Sequence, residues 1–243
     1  MFSNEMMKGQ VALITGIGHP FADAVALRFA SLGARLIAVN DPRDAEAAAR
    51  FEAPEGTLRY TVDGTDAAAV KAMVRTAVAA AGRVDTLICA AYYSLQESLT
   101  TIDLQKWRDV LDAQLSATLH FNREVIRPMM RNKAGRIVNV MYGVSGPASG
   151  VAARGVSSLS KTLASELATH GIYVNSLAVG QLEETTVMMP DVQRSMSVLS
   201  RQASPLGRMG RADEAAQAAV FLASDFGKLT SGHTLSAAGG VYP

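Results

Sequence analysis

Cysteine is almost absent from this chain. The one copy, Cys89, lies in an apolar run. It cannot form an intrachain disulfide, which excludes a disulfide scaffold and points to a reducing cytoplasm. An excess of either charge is also missing. With 23 Lys and Arg against 22 Asp and Glu, the net charge is +1. That balance leaves no electrostatic footprint for nucleic acid or for an anionic membrane. Long hydrophobic runs are lacking too. Arg, Lys or Asp interrupts each alanine-rich stretch within a few turns, so none is expected to span a bilayer. The opening MFSNEMMKGQ has no apolar segment of the kind a secretion signal needs. No metal site is expected.

What is present is a regular alternation. Short apolar runs at Val11–Thr15, Arg35–Val39, Thr57–Val62, Val84–Ala90, Arg136–Val140, Ile172–Ala178 and Thr234–Ser236 read as strands, the first of them buried on both faces. Between them, apolar residues at helical spacing predict helices over Phe21–Leu32, Asp44–Phe51, Asp66–Ala81, Leu104–Met130, Ala152–Thr169 and Asp213–Ser224. Gln181–Ala203 reads as irregular, Met-rich and polar. The 243 residues contain no repeat or linker and are 49% hydrophobic, enough to bury a large core as one domain. Alternating strands and helices predict a parallel sheet with helices on both faces.

The stretch Gly135–Gly180 carries the functional question. Its loop after a buried strand lies at the carboxyl edge of such a sheet, where ligands bind. The loop and the helix after it offer Tyr142, Ser145, Ser149 and Arg154, with no Lys before Lys161.

Several segments match one family in order. Ser204-Pro-Leu-Gly-Arg-Met-Gly-Arg211, Glu214, Phe221-Leu-Ala-Ser-Asp225, Ser231-Gly-His-Thr-Leu235 and Gly239-Gly240 form its closing segment. Gly135-Arg-Ile-Val-Asn139 and Gly171-Ile-Tyr-Val-Asn175 also fit. The whole chain resembles the short-chain dehydrogenase/reductase family. That resemblance implies a single-domain, Rossmann-like, doubly wound parallel sheet over residues 1–243.

The motifs that carry the family's chemistry are altered. Its phosphate cradle reads TGxxxGxG. Here Thr15-Gly16 is present, but Pro20 and Ala22 replace the next two glycines around Phe21. Proline removes an amide donor, and Ala22 adds a methyl where contact is closest. Gly18 is a partial replacement, and His19 could face a phosphate. At the ribose reader stands Asn40, followed by Asp41, which is either an acceptor for ribose hydroxyls or a turn residue. Asp63 fits the adenine-contacting position and equally an ordinary helix-start turn. The strand-four signature Asn-Asn-Ala-Gly has become Cys89-Ala90-Ala91-Tyr92, with a ring where a nicotinamide ribose needs space. Gln114 replaces the relay Asn. The catalytic Ser, Tyr and Lys positions hold Tyr142, Ser149 and Ala153. Thr185 keeps the spacing of a nicotinamide-amide contact, and Met188, Met189, Met196 and Val198 fit either a lid or packing.

Three readings follow. In the first, the chain is a non-catalytic subunit of a heteromeric NAD-dependent alcohol dehydrogenase. Its partner would be an intact family member in a heterodimer or heterotetramer, joined, as the resemblance implies, through the helices equivalent to Leu104–Met130 and Gly155–Thr169 and through the C-terminal segment. NAD is then expected in the partner, with none bound by this chain beyond a vestigial site at Gly16, Gly18, Asp41 and Asp63. The second is an active oxidoreductase using Tyr142 as the acid, helped by Arg154 or His120. The third is a ligand sensor using the old pocket.

Overall fold

The apolar runs become the strands of one sheet. The computed structural model describes residues 5–93, 98, 100–142, 146–187 and 204–240. Its strands are β1 (Val11–Thr15), β2 (Arg35–Asn40), β3 (Leu58–Thr61), β4 (Thr86–Cys89), β5 (Gly135–Tyr142), β6 (Ile172–Val179) and β7 (Thr234–Ala237). All pair in parallel in the order β3-β2-β1-β4-β5-β6-β7. The order reverses between β1 and β4, so the carboxyl ends of these two strands flank the crevice where such sheets take ligands.

The helices are α1 (Pro20–Ser31), α2 (Ala45–Ala49), α3 (Ala67–Ala81), α4 (Leu104–Leu111), α5 (Ala117–Asn132), α6 (Pro147–Leu167), α7 (Glu183–Val187) and α8 (Ala212–Ala223). Side chains of β1 alternate between two cores, as the pleat requires. Ala12 and Ile14 join α1 and α8 on one face. Val11 and Leu13 join α3 and α5 on the other, with Ala164 and Leu167 of α6. The expected doubly wound sheet is therefore the observed one. Among the described residues, no helix is long and apolar enough to cross a membrane.

Four elements differ from expectation, the first being α7, a short helix within the stretch Gln181–Ala203 expected to be irregular. The helix expected from Ala152 starts at Pro147. Proline at the first helical position has its φ preset and no amide to leave unbonded. Ala148, Ser149, Ala152 and Ala153 then form one buried face, so Ser149 belongs to a helix and not to a loop. The expected helix over Leu104–Met130 is interrupted by a π-turn at Asp112–Ser116 and continues past Pro128 to Asn132. The helix expected over Asp44–Phe51 is a 3₁₀ turn, Pro42–Asp44, followed by the short α2. Met188, Met189, Met196, Val198 and Ser145 lie outside the described residues.

A buried polar chain ties α5, β5 and α6 together. Asn122 donates to the Asn139 Oδ1 at 2.8 Å, and Asn139 donates to Ser160 Oγ at 3.0 Å and to Asn122 Oδ1 at 3.2 Å. Ser160 in turn donates to the Val156 carbonyl at 2.9 Å. All three residues are fully enclosed, so a lost partner is not replaced by water. Asn139→Ala is expected to cost roughly 2 to 4 kcal/mol, because two enclosed groups lose a bond at once. Urea denaturation measures it.

Candidate functional site

The site is built where β1, β2 and β4 end. Thr15 closes β1, and its hydroxyl accepts from the Ala90 amide at 2.9 Å. Gly16 follows with φ +80°, and a Cβ there would collide with the Ala90 carbonyl oxygen. Only glycine lets the two strand ends approach this closely. Tyr142, at the end of β5, donates its hydroxyl to that same Ala90 carbonyl at 3.2 Å.

Gly18 has φ +102°, and a Cβ there would lie 2.7 Å from the Ala48 amide nitrogen. The turn therefore packs against α2 where a ligand would otherwise approach. Its own amide donates to Asp23 Oδ1 at 2.9 Å. Asp23 lies in the first turn of α1, where an anion is favoured by the helix dipole. Burial raises the Asp23 carboxyl above its usual range, against the opposing Gly18 hydrogen bond and Arg59 charge.

An aromatic cluster continues from this turn. The His19 ring lies 4.2 Å from Tyr92 and 4.8 Å from Tyr142, centroid to centroid. Tyr92 meets Tyr142 edge-on at 4.9 Å, and Phe21 meets Tyr142 at 6.1 Å. Edge-on and tilted contacts suit the ring quadrupoles. His19 is part-exposed as a residue. Both its ring nitrogens are nevertheless shut off, with no hydrogen-bond partner among the described residues. Burial lowers its pKa to about 4, so the ring is neutral. Burial also raises the Tyr142 hydroxyl well above its usual range, with nearby Tyr92, Cys89, Asp23 and Asp44 adding to the effect. The Cys89 thiol, enclosed between Thr15 and Thr118, is pushed up to about 11 by burial and is not a nucleophile at neutral pH.

The remaining cleft has a volume of about 30 Å³, with Thr15, Gly16, Asn40, Asp41, Arg43 and Tyr92 in its lining. That holds a water or two, where a ligand pocket needs roughly 300 Å³ or more. The Asp41 carboxylate is already engaged. Its Oδ1 accepts from the Arg43 backbone and Nε at 2.9 and 2.7 Å, and its Oδ2 from Arg43 Nη2 at 2.8 Å. Burial would raise this carboxyl, but the Arg43 bonds and charge hold it below its ordinary range. Asp63 accepts from the Thr65 amide and hydroxyl at 2.9 and 2.7 Å, a turn role. Of the four predicted cofactor positions, the cleft lining joins Gly16 and Asp41, while Gly18 and Asp63 are occupied by local partners. Asp23, which the sequence reading passed over, is the side chain that meets the cradle amide. Its signal is a carboxylate in the first turn of a helix that begins at the cradle.

At the catalytic positions the side chains meet local partners. Tyr142 is bonded to Ala90, Ser149 is buried in the first turn of α6, and Ala153 is buried on the same face. Gln114, in the π-turn, donates to the Tyr93 carbonyl and reaches Ser149 Oγ at 3.5 Å. Thr185 donates to the Leu182 carbonyl at 2.7 Å. Arg154 is exposed.

Sheet order, crossover helices and the glycine turn at the switch point define a dinucleotide-fold protein. A family model described as Enoyl-(Acyl carrier protein) reductase matches residues 16–242. The chain belongs to the short-chain dehydrogenase/reductase family, a family of oxidoreductases. It is 32% identical to the 3-oxoacyl-[acyl-carrier-protein] reductase FabG of Escherichia coli K12, over 97% of this chain and 98% of that protein. The FabG of Thermotoga maritima is also 32% identical, with the same coverage. A crystal structure of a short-chain dehydrogenase/reductase from Burkholderia xenovorans superposes with a TM-score of 0.82 at 28% identity, covering 96% of this chain and 97% of that one.

The neutral His19 generates a pH prediction. Its pKa falls from 6.5 in the unfolded chain to about 4 in the fold. The unfolded state therefore binds the extra proton between those values, and stability falls as pH drops through that window. The wild-type chain should be fully stabilised above pH 6.5 and lose up to roughly 3 kcal/mol by pH 4 from this group. His19→Phe should keep the ring packing and lose that part of the slope. Denaturant unfolding of both proteins across pH 4 to 7.5 reads the difference.

Proposed function

We propose that this chain is the non-catalytic subunit of a hetero-oligomeric, NAD-dependent dehydrogenase of the cytoplasm. An intact member of the same family supplies cofactor and chemistry, in a heterodimer or a two-plus-two tetramer. One observation carries this reading: the His19, Tyr92 and Tyr142 rings pack together beside β4 and the Gly18 amide is bonded to Asp23, at the place where the family's proton-transfer residues are replaced. A general acid or base must reach the reacting atom with a pKa suited to the operating pH. Tyr142 is committed to the Ala90 carbonyl and its pKa moves further from neutrality, so the reading with Tyr142 as the acid loses its main support.

Large apolar side chains stand exposed on the helices expected to assemble. Leu104 of α4 is 70% exposed, Leu119 of α5 is 45% exposed and Val151 of α6 is 51% exposed. We place the partner's contact on these helices, where these side chains would be covered. For the complex we propose an acyl thioester that carries an oxidisable hydroxyl or a reducible ketone. The relatives are named as reductases of 3-oxoacyl-[acyl-carrier-protein]. A family precedent for pairing a defective with an intact subunit is the dehydrogenase of anaerobic toluene breakdown, which acts on 2-[hydroxy(phenyl)methyl]succinyl-CoA, also a thioester. We propose that this chain serves in such a two-component enzyme.

Co-expression with an intact family member from the same source tests the reading. The expected result is a stable complex by light scattering. With a 3-oxoacyl thioester and NADH the complex turns over, this chain alone does not, and Tyr142→Phe in this chain leaves the complex's rate within about twofold. Turnover by the isolated chain that Tyr142→Phe abolishes would overturn it.

A further inference from the structure

A dinucleotide site of this fold needs two kinds of space. The pyrophosphate needs free backbone amides at the start of the first crossover helix, where the helix dipole favours an anion. The nicotinamide half needs an open channel beside the end of β4. Neither fits the residues present here. The Gly18 amide is bonded to Asp23, and the backbone of α2 lies against Gly18. Pro20, the first residue of α1, has no amide to offer. Beside β4, the rings of His19, Tyr92 and Tyr142 pack with their centroids within 5 Å of one another.

These are not random losses. A site that had simply decayed would leave a cavity with orphaned donors, at a cost for each enclosed polar group. Here most groups that would have met a cofactor are re-partnered, the enclosed His19 ring nitrogens being an exception. The cradle amide has a carboxylate, the Ala90 peptide is bonded at both its amide and its carbonyl, and Asp41 has Arg43. The N-cap residue His19 makes no side-chain capping bond. Asp23 reaches back past it to Gly18, from a position where the helix alone does not need it.

We infer that the chain occupies its own dinucleotide site: the Asp23 carboxylate stands in for a phosphate at Gly18, and the His19, Tyr92 and Tyr142 rings stand in for the nicotinamide half. The substitute is covalently tethered, so it is present at effectively saturating concentration and needs no free cofactor. Exclusion of NAD(H) and NADP(H) is thus an acquired packing feature, and cutting the substitute away reopens the site. This inference rests on the reading of the chain as a non-catalytic subunit, and it specifies why the subunit takes no cofactor.

The test uses the full chain and four variants: Asp23→Ala, Tyr92→Gly, the double variant, and Lys71→Gln, exposed on α3, as a control outside the cleft. Circular dichroism confirms folding, and thermal melts are recorded with and without NADH or NADPH. The parent and the control should show no ligand-induced shift. The opened variants should melt lower than the parent without ligand and recover part of the loss with it, following RT ln(1 + [L]/Kd). The double variant should bind at least about tenfold more tightly than the parent. If the double variant does not fold, the single variants decide. Folded opened variants that gain no binding overturn the inference, as does a parent that already binds as tightly as they do. Complex formation with the intact relative is read separately in the same variants. Its loss in the parent would count against the subunit reading, and its retention leaves the outcome here to the binding data.

Discussion

The Ala90 peptide is the point on which the site depends. It stands at the carboxyl end of β4, beside the reversal of strand order. Its amide is held by Thr15 of β1 at 2.9 Å and its carbonyl by Tyr142 of β5 at 3.2 Å. Gly16 lies against the same carbonyl, at a position where no side chain is tolerated. Three strand ends are thereby drawn into direct contact. Bonds inside an enclosed site are stronger and costlier to break than those in water. A ligand entering here would have to displace Tyr142 from its acceptor and leave that acceptor in search of a new donor.

The fold does not need the site to be open. The Asn122–Asn139–Ser160 chain and most of the two apolar cores lie behind the strand ends, while Ile17, Phe21, Ala90 and Tyr142 carry one core into the site. The motifs at the carboxyl edge depart from the family's pattern in a chain that is about 30% identical to its relatives over nearly its whole length. Function is carried by sites placed on folds, and a fold of this kind persists when the site is filled.

The architecture was legible because buried parallel strands are continuous apolar runs, and each is followed by a helical period. The altered motifs were legible for the same reason: Tyr92 and Ala153 sit at fixed offsets from recognisable strands. What was not legible depends on contacts through space. Gly18 read as a substitute phosphate donor, because nothing in its neighbourhood announces that Asp23 folds back onto it. His19 read as facing a phosphate, yet it stacks on Tyr92, a residue more than seventy positions away in the chain. The start of α6 was hidden by composition. Gly146, Pro147, Ser149 and Gly150 read as loop, but Pro147 opens the helix and Ser149 faces the core. The π-turn at Asp112–Ser116 leaves no periodic signature in so short a span.

The central claim is that this chain keeps the fold of its family with the cofactor space filled. Isothermal titration of NADH and of NADPH into the purified wild-type chain tests it most directly. The account predicts no binding heat for either nucleotide up to about 1 mM. Saturable one-to-one binding in the micromolar range would contradict it.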